Sequence, residues 1–91
     1  DDKDRELHKL YRQVREARGD TRLISELPEI WKTVVHDFSE DWLLSLEILE
    51  ILSQHPLYRE LCQDIQTYLA QKRDDQPELE KVITNGLKLI G

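Results

Sequence analysis

Histidines, a cysteine and clustered carboxylates are the groups in this chain that could do chemistry, and their spacing decides what chemistry is open to them. The histidines are His8, His36 and His55. No two stand three or four residues apart, the interval that places two metal ligands on one helix face. A metal shared by His36 with Asp37 or Asp41 would need distant residues to converge, so solvent or a helix junction is the expected place for each histidine. Cys62 is the single cysteine, which excludes an internal disulfide framework and a cysteine-based zinc site. It falls on an apolar stripe, where a free thiol packs as a small hydrophobe. The cationic, partly open setting of a nucleophile is missing from its neighbours Leu61 and Gln63. Glu47 and Glu50, with Glu40 two turns earlier, share a strip and would be the candidate acid–base pair. No basic or aromatic group shares that strip, so a solvated face is expected. No glycine-rich phosphate loop, nucleophile elbow or zinc motif occurs. The expectation is a chain with no catalytic, cofactor-binding or metal residues of its own, and so neither an enzyme by itself nor a cofactor carrier.

Charge offers a second kind of chemistry. Arg5, Lys9, Arg12, Arg15 and Arg18 form a basic face on the first predicted helix and are the candidate interaction surface. Glu6 and Glu16 are interleaved with them, as on an ordinary solvated face. The whole chain carries 13 basic and 19 acidic residues, a net charge of −6. That balance disfavours the phosphate neutralisation on which nucleic-acid binding rests, so the expected partner is a protein. Residues 23–56 hold Lys32 against seven carboxylates. Two readings stand for the basic helix: a solvated face, which is favoured, or pairing with the acidic residues 26–50, within the chain or in another copy.

These groups must be positioned by helices. With residues set about 100° apart on a wheel, residues 3–18 place Leu7, Leu10, Tyr11, Val14 and Ala17 on one arc. Gly19 follows at the position where glycine commonly turns left-handed to end a helix. Residues 22–38 give Leu23, Ile24, Leu27, Ile30, Trp31, Val34, Val35 and Phe38, a register that runs through Pro28. Either one helix kinks at proline, or a short turn precedes a helix starting near Ser25, with proline tolerated in its first turn; the second is favoured. Residues 39–54 are apolar over most of the wheel, apart from Glu47, Glu50 and Gln54. Such a helix must be surrounded, so helix 39–54 is predicted to be central. Ser39 reads as its N-cap, and Phe38 with Leu43 as the matching hydrophobic staple. Pro56 opens a helix carrying Leu57, Tyr58, Leu61, Cys62, Ile65, Tyr68 and Leu69. Pro77 opens a fifth, with Leu79, Val82, Ile83, Gly86, Leu87 and Ile90. Gly86 on this arc implies close helix–helix approach, or a break at Asn85-Gly86.

The fold class is thus all-α: a compact array or bundle of about five short antiparallel helices, because links of a few residues make sequential neighbours antiparallel. The 91 residues suffice for one domain with its own core. Apolar residues form 38% and charged residues 35% of the chain, which suits a small helical domain rich in surface. Apolar runs are no longer than Trp42-Leu43-Leu44, so no membrane association is expected, and the lone cysteine fits a cytoplasmic origin. The chain contains no methionine and begins Asp1-Asp2-Lys3-Asp4. The expectation is a single helical domain, 1–91, excised from a larger protein.

The stretch Asp41-Trp42-Leu43-Leu44-Ser45-Leu46-Glu47-Ile48-Leu49-Glu50-Ile51-Leu52 carries a resemblance. Leu10-Tyr11-Arg12-Gln13-Val14-Arg15-Glu16-Ala17-Arg18 and Ile83-Thr84-Asn85-Gly86-Leu87-Lys88-Leu89-Ile90 extend it. Together they resemble the helical C-terminal extension of bacterial phenylalanine-4-hydroxylase-like proteins, of the aromatic amino acid hydroxylase family. The resemblance implies a parent enzyme with non-haem iron, tetrahydropterin and oxygen. The iron-binding histidine pair of that family has no counterpart in this sequence. What the resemblance implies for this chain is a non-catalytic accessory domain for assembly, docking or regulation, its partner the parent catalytic domain or another copy. The alternative is an autonomous helical adaptor that holds a partner peptide or helix in a groove.

Overall fold

The computed structural model describes residues 1–90 and contains five α-helices and no strand among them. Helix α1 spans Asp2–Gly19, α2 Leu27–Asp37, α3 Trp42–Leu52, α4 Arg59–Asp75 and α5 Glu80–Ile90. Short 3₁₀ segments, Thr21–Glu26, Pro56–Tyr58 and Pro77–Leu79, lead into α2, α4 and α5. The all-α fold expected from the periodicity is the fold observed.

Helix α3 touches all four other helices. Leu44, Ser45, Ile48, Leu49, Ile51 and Leu52 are buried on it, more than on any neighbour. Its central place follows from its wheel: a surface that is apolar nearly all round leaves water only by being covered. Tyr11 of α1 meets Asp41 at the start of α3, while Arg18 of α1 meets Glu47 and Glu50 further along. The two helices therefore run in the same direction. Gly86 of α5 lies against Leu46, and Leu89 and Ile90 border Glu50, Ser53 and Gln54, so α5 runs that way too. α1 and α5 flank α3, and α2 and α4 run oppositely and cover its remaining face. The principal extents of 36 × 34 × 18 Å match two helix layers. Leu10, Val14, Leu27, Val34, Ile65, Leu69 and Ile83 close the core around α3.

Several ends differ from the sequence reading. The N-cap of α3 is Asp41, whose side chain accepts from the Leu44 amide, so the helix is Trp42–Leu52 and not 39–54. Ser39 caps nothing; its carbonyl accepts the Tyr68 hydroxyl. With the cap moved two residues on, Phe38 and Leu43 lose the staple register, and Leu43 stands 54% exposed. Gly19 does not turn left-handed. Instead α1 ends where Asp20 goes extended and its carboxylate caps the next 3₁₀ segment through the Arg22 amide. Pro28 lies in the first turn of α2 after a 3₁₀ lead-in, the favoured alternative with the start two residues later than Ser25. Leu57 and Val82, placed on core arcs by the wheel, are 87% and 51% exposed. Leu57 sits in a 3₁₀ segment, whose tighter winding rotates it off the α4 stripe. Helix α5 continues unbroken through Asn85-Gly86.

Candidate functional site

The segment 38–41 that joins α2 to α3 is held from two sides. The Tyr11 hydroxyl of α1 donates to Asp41 Oδ1 at 2.6 Å. The Tyr68 hydroxyl of α4 donates to the Ser39 carbonyl. The Tyr68 ring stands edge-on to Trp31 of α2, with centroids 6.0 Å apart. Asp41 thus serves both the Leu44 amide and Tyr11. Burial and the hydrogen bond to Asp41 push the Tyr11 hydroxyl well above the ordinary tyrosine range, helped by the charges of Asp41 and Glu47. Burial and the Asp41 charge raise Tyr68 as well.

Between this pinned segment and the first half of α1 runs a groove of about 630 Å³. Leu7, Tyr11, Phe38, Trp42 and Leu43 supply its apolar side chains. Asp4, Asp37, Glu40 and Asp41 supply four carboxylates, against the single cation Lys3. Nothing in the wheels joined these residues, because α1 and segment 37–43 meet only in the fold. The available signal was local: Asp37, Glu40 and Asp41 bracket Phe38 within five residues of Trp42.

The expected basic face divides. Arg5, Lys9, Arg12 and Arg15 are exposed and border a surface trough formed by α1 alone. Arg18 instead turns to α3, where its guanidinium is 3.2 Å from Glu50 and 3.5 Å from Glu47. The hydrogen bond to Glu50, with the charges of both glutamates, holds Arg18 above its ordinary pKa. The strip holding Glu47 and Glu50 was expected to carry no basic group; α1 supplies one from outside the helix. Pairing between the basic helix and the acidic middle therefore exists within the chain at this one residue. Its side chains are 43%, 25% and 51% exposed for Arg18, Glu47 and Glu50, so solvent screens the pair and it adds little to stability.

The histidines stay apart. His8 borders the α1 trough, His36 Nδ1 pairs with Asp37 Oδ1 at 2.6 Å on the surface, and His55 precedes Pro56 at the α3–α4 junction. Among the described residues no three His, Cys, Asp or Glu side chains gather as a metal site would require. Cys62, expected to be buried, is half-buried against the core, and burial raises its thiol pKa. Glu40 lies at the groove, away from the Arg18-bound glutamates. Among the described residues no helix is long and apolar enough to cross a membrane. Compared with protein-family models, with curated proteins and with solved structures, the chain matches none.

Proposed function

We propose that this chain is a non-catalytic helical interaction domain, which takes a cationic amphipathic segment of a protein partner into the groove between α1 and segment 37–43. One observation carries the reading: four carboxylates line the groove together with aromatic and aliphatic side chains, with one lysine among them. Apolar area supplies the driving force of docking, and the surrounding charge selects the sign of the partner. Arginine or lysine stems can lie over Phe38 and Trp42, where the ring faces attract cations, while their charged ends reach the carboxylates. The segment 38–41 is pinned by two tyrosine hydroxyls, which keeps the cost of ordering the site low.

Two settings suit such a domain, both cytosolic. As an accessory domain it would dock on another part of a larger protein; the hydroxylase-like parent rests on the resemblance of residues 10–18, 41–52 and 83–90 alone. As an adaptor it would hold a separate protein. Upstream coding sequence for a domain with the iron-ligand histidines would select the first setting, and an initiation codon directly before Asp1 the second.

The docking itself is tested by titrating the chain with a synthetic amphipathic helix of lysine and leucine and following backbone amide shifts. The expected shifts fall on Leu7, Tyr11 and residues 37–43, and Asp37→Lys/Glu40→Lys abolishes them. Shifts confined to the Val82 and Leu89 face of α5, or none at all, would overturn the proposal.

A further inference from the structure

The groove and the basic trough are neighbours on one helix. Leu7, Asp4 and Tyr11 of α1 face the groove, Arg5, Lys9, Arg12 and Arg15 line the trough, and Tyr11 borders both. The two surfaces have opposite signs. Asp37 already meets His36, and Asp41 already accepts from the Tyr11 hydroxyl and the Leu44 amide. The remaining charges of both surfaces are uncommitted within the chain. None of the ion pairs formed among the described residues uses Arg5, Lys9, Arg12 or Arg15, and none uses Asp4 or Glu40.

We infer that the partner of the groove is a second copy of this chain, whose α1 presents Arg5, Lys9 and Arg12 to the Asp4, Asp37 and Glu40 carboxylates. This rests on the groove being a docking site, as proposed above. A twofold axis passing beside Tyr11 sets the two α1 helices antiparallel. Each copy then offers its basic face to the other's groove, and both contacts form at once. An interface of this kind is self-complementary and closes at two copies, so it builds a dimer and not a filament. The arginine and lysine stems cover the apolar side chains while their charged ends meet the carboxylates. Planar guanidinium groups suit both the rings and the carboxylates. The net charge of −6 opposes association, so attraction must be local, and raising salt weakens it: the Debye length falls from roughly 20 Å near 0.02 M to roughly 4 Å near 0.5 M.

Sedimentation velocity across a concentration series, at low and high salt, tests this on three proteins. The chain itself is expected to dimerise at low salt and to dissociate at high salt. Arg5→Glu/Arg12→Glu and Asp37→Lys/Glu40→Lys are each expected to weaken self-association at least about tenfold, since like charges then face one another. An equimolar mixture of the two variants is expected to restore the dimer, because each reversed face meets a reversed groove. Circular dichroism confirms that these exposed substitutions leave the helices intact. A chain that stays monomeric at low salt overturns the inference, as does a mixture that stays monomeric while the unaltered chain dimerises, or single variants that dimerise unchanged. The lysine–leucine helix separates the two levels of argument. If it binds the groove of a strictly monomeric chain, the second copy is wrong and the docking site stands. If neither binds, both fail.

Discussion

Gly86 of α5 faces Leu46 of α3 so closely that a Cβ on the glycine would stand 2.7 Å from Leu46 Cδ2 and 3.3 Å from Cδ1. The atoms in the way are the ends of a half-buried side chain at the edge of the surface groove shared with Leu89 and Ile90. They can swing outward. Alanine at this position also gains about 1 kcal/mol of helix propensity over glycine. Gly86→Ala alone is therefore expected to change stability by less than about 1 kcal/mol, the crowding offsetting the propensity. In a Leu46→Ala background the crowding is gone, and the same substitution is expected to stabilise by about 1 kcal/mol. Urea denaturation of the four proteins checks this; equal effects of Gly86→Ala in both backgrounds would sink the account.

Asp41 does two jobs, capping α3 and accepting the Tyr11 hydroxyl. Asp41→Ala is expected to cost about 2–3 kcal/mol, roughly one for the cap and one or more for the hydrogen bond. Tyr11→Phe removes the second contribution alone, about 1 kcal/mol. Ser39→Ala, which a cap at Ser39 would make costly, is expected to stay within about 0.5 kcal/mol. If Ser39→Ala proves the more damaging of the two alanine substitutions, the cap has been misplaced.

The raised tyrosines set a direction for alkaline stability. Tyr11 and Tyr68 both hold their protons more tightly in the fold than an ordinary tyrosine does. Between the ordinary value near 10 and the raised one, the folded chain binds more protons than the unfolded chain. Stability is then fully present below about pH 10 and falls as the pH climbs past it. Cys62, whose thiol pKa burial pushes up, adds to the fall at its lower end. Unfolding free energies measured from pH 8 to pH 11 are expected to decline less steeply in Tyr11→Phe, and still less in Tyr11→Phe/Tyr68→Phe. An unaltered slope in the double variant would show that other groups control the alkaline limb.

Ser45 is fully buried on α3, and its Oγ accepts from Trp31 Nε1 of α2 at 3.2 Å. Ser45→Ala strands the indole N–H and is expected to cost about 1–2 kcal/mol. Trp31→Phe removes the donor but also packing on Tyr68. The double variant is expected to cost less than the sum of the two, since the lost hydrogen bond is then counted once. Strict additivity in thermal or urea unfolding would mean that the bond contributes nothing.

Much of the fold was legible because helical periodicity is local. The apolar circumference of α3, from Leu44 to Leu52, required neighbours on most sides. Gly86 on a core arc required a close partner. Errors gathered at the ends, where two acceptors competed. Ser39 and Asp41 are both good caps, and the Tyr11 hydroxyl, thirty residues away from Asp41 in sequence, is satisfied at the second. Leu57 left the core because a 3₁₀ turn shifts the phase that a wheel carries unbroken, and Val82 lies at the exposed edge of the α5 stripe whose centre is the buried Ile83. The basic residues of α1 were equally legible as a face, but the turning of Arg18 to Glu47 and Glu50 was not.

By itself the sequence determined that this protein is all-helical, that α3 lies at its centre, and that α1 carries a basic face, since each depends on the order of residue types along one helix. Only tertiary structure decided that Leu7 and Tyr11 would line one groove with Phe38, Trp42, Leu43 and four carboxylates. A groove is a property of two surfaces brought together, and its charge comes from residues that no single helical period connects.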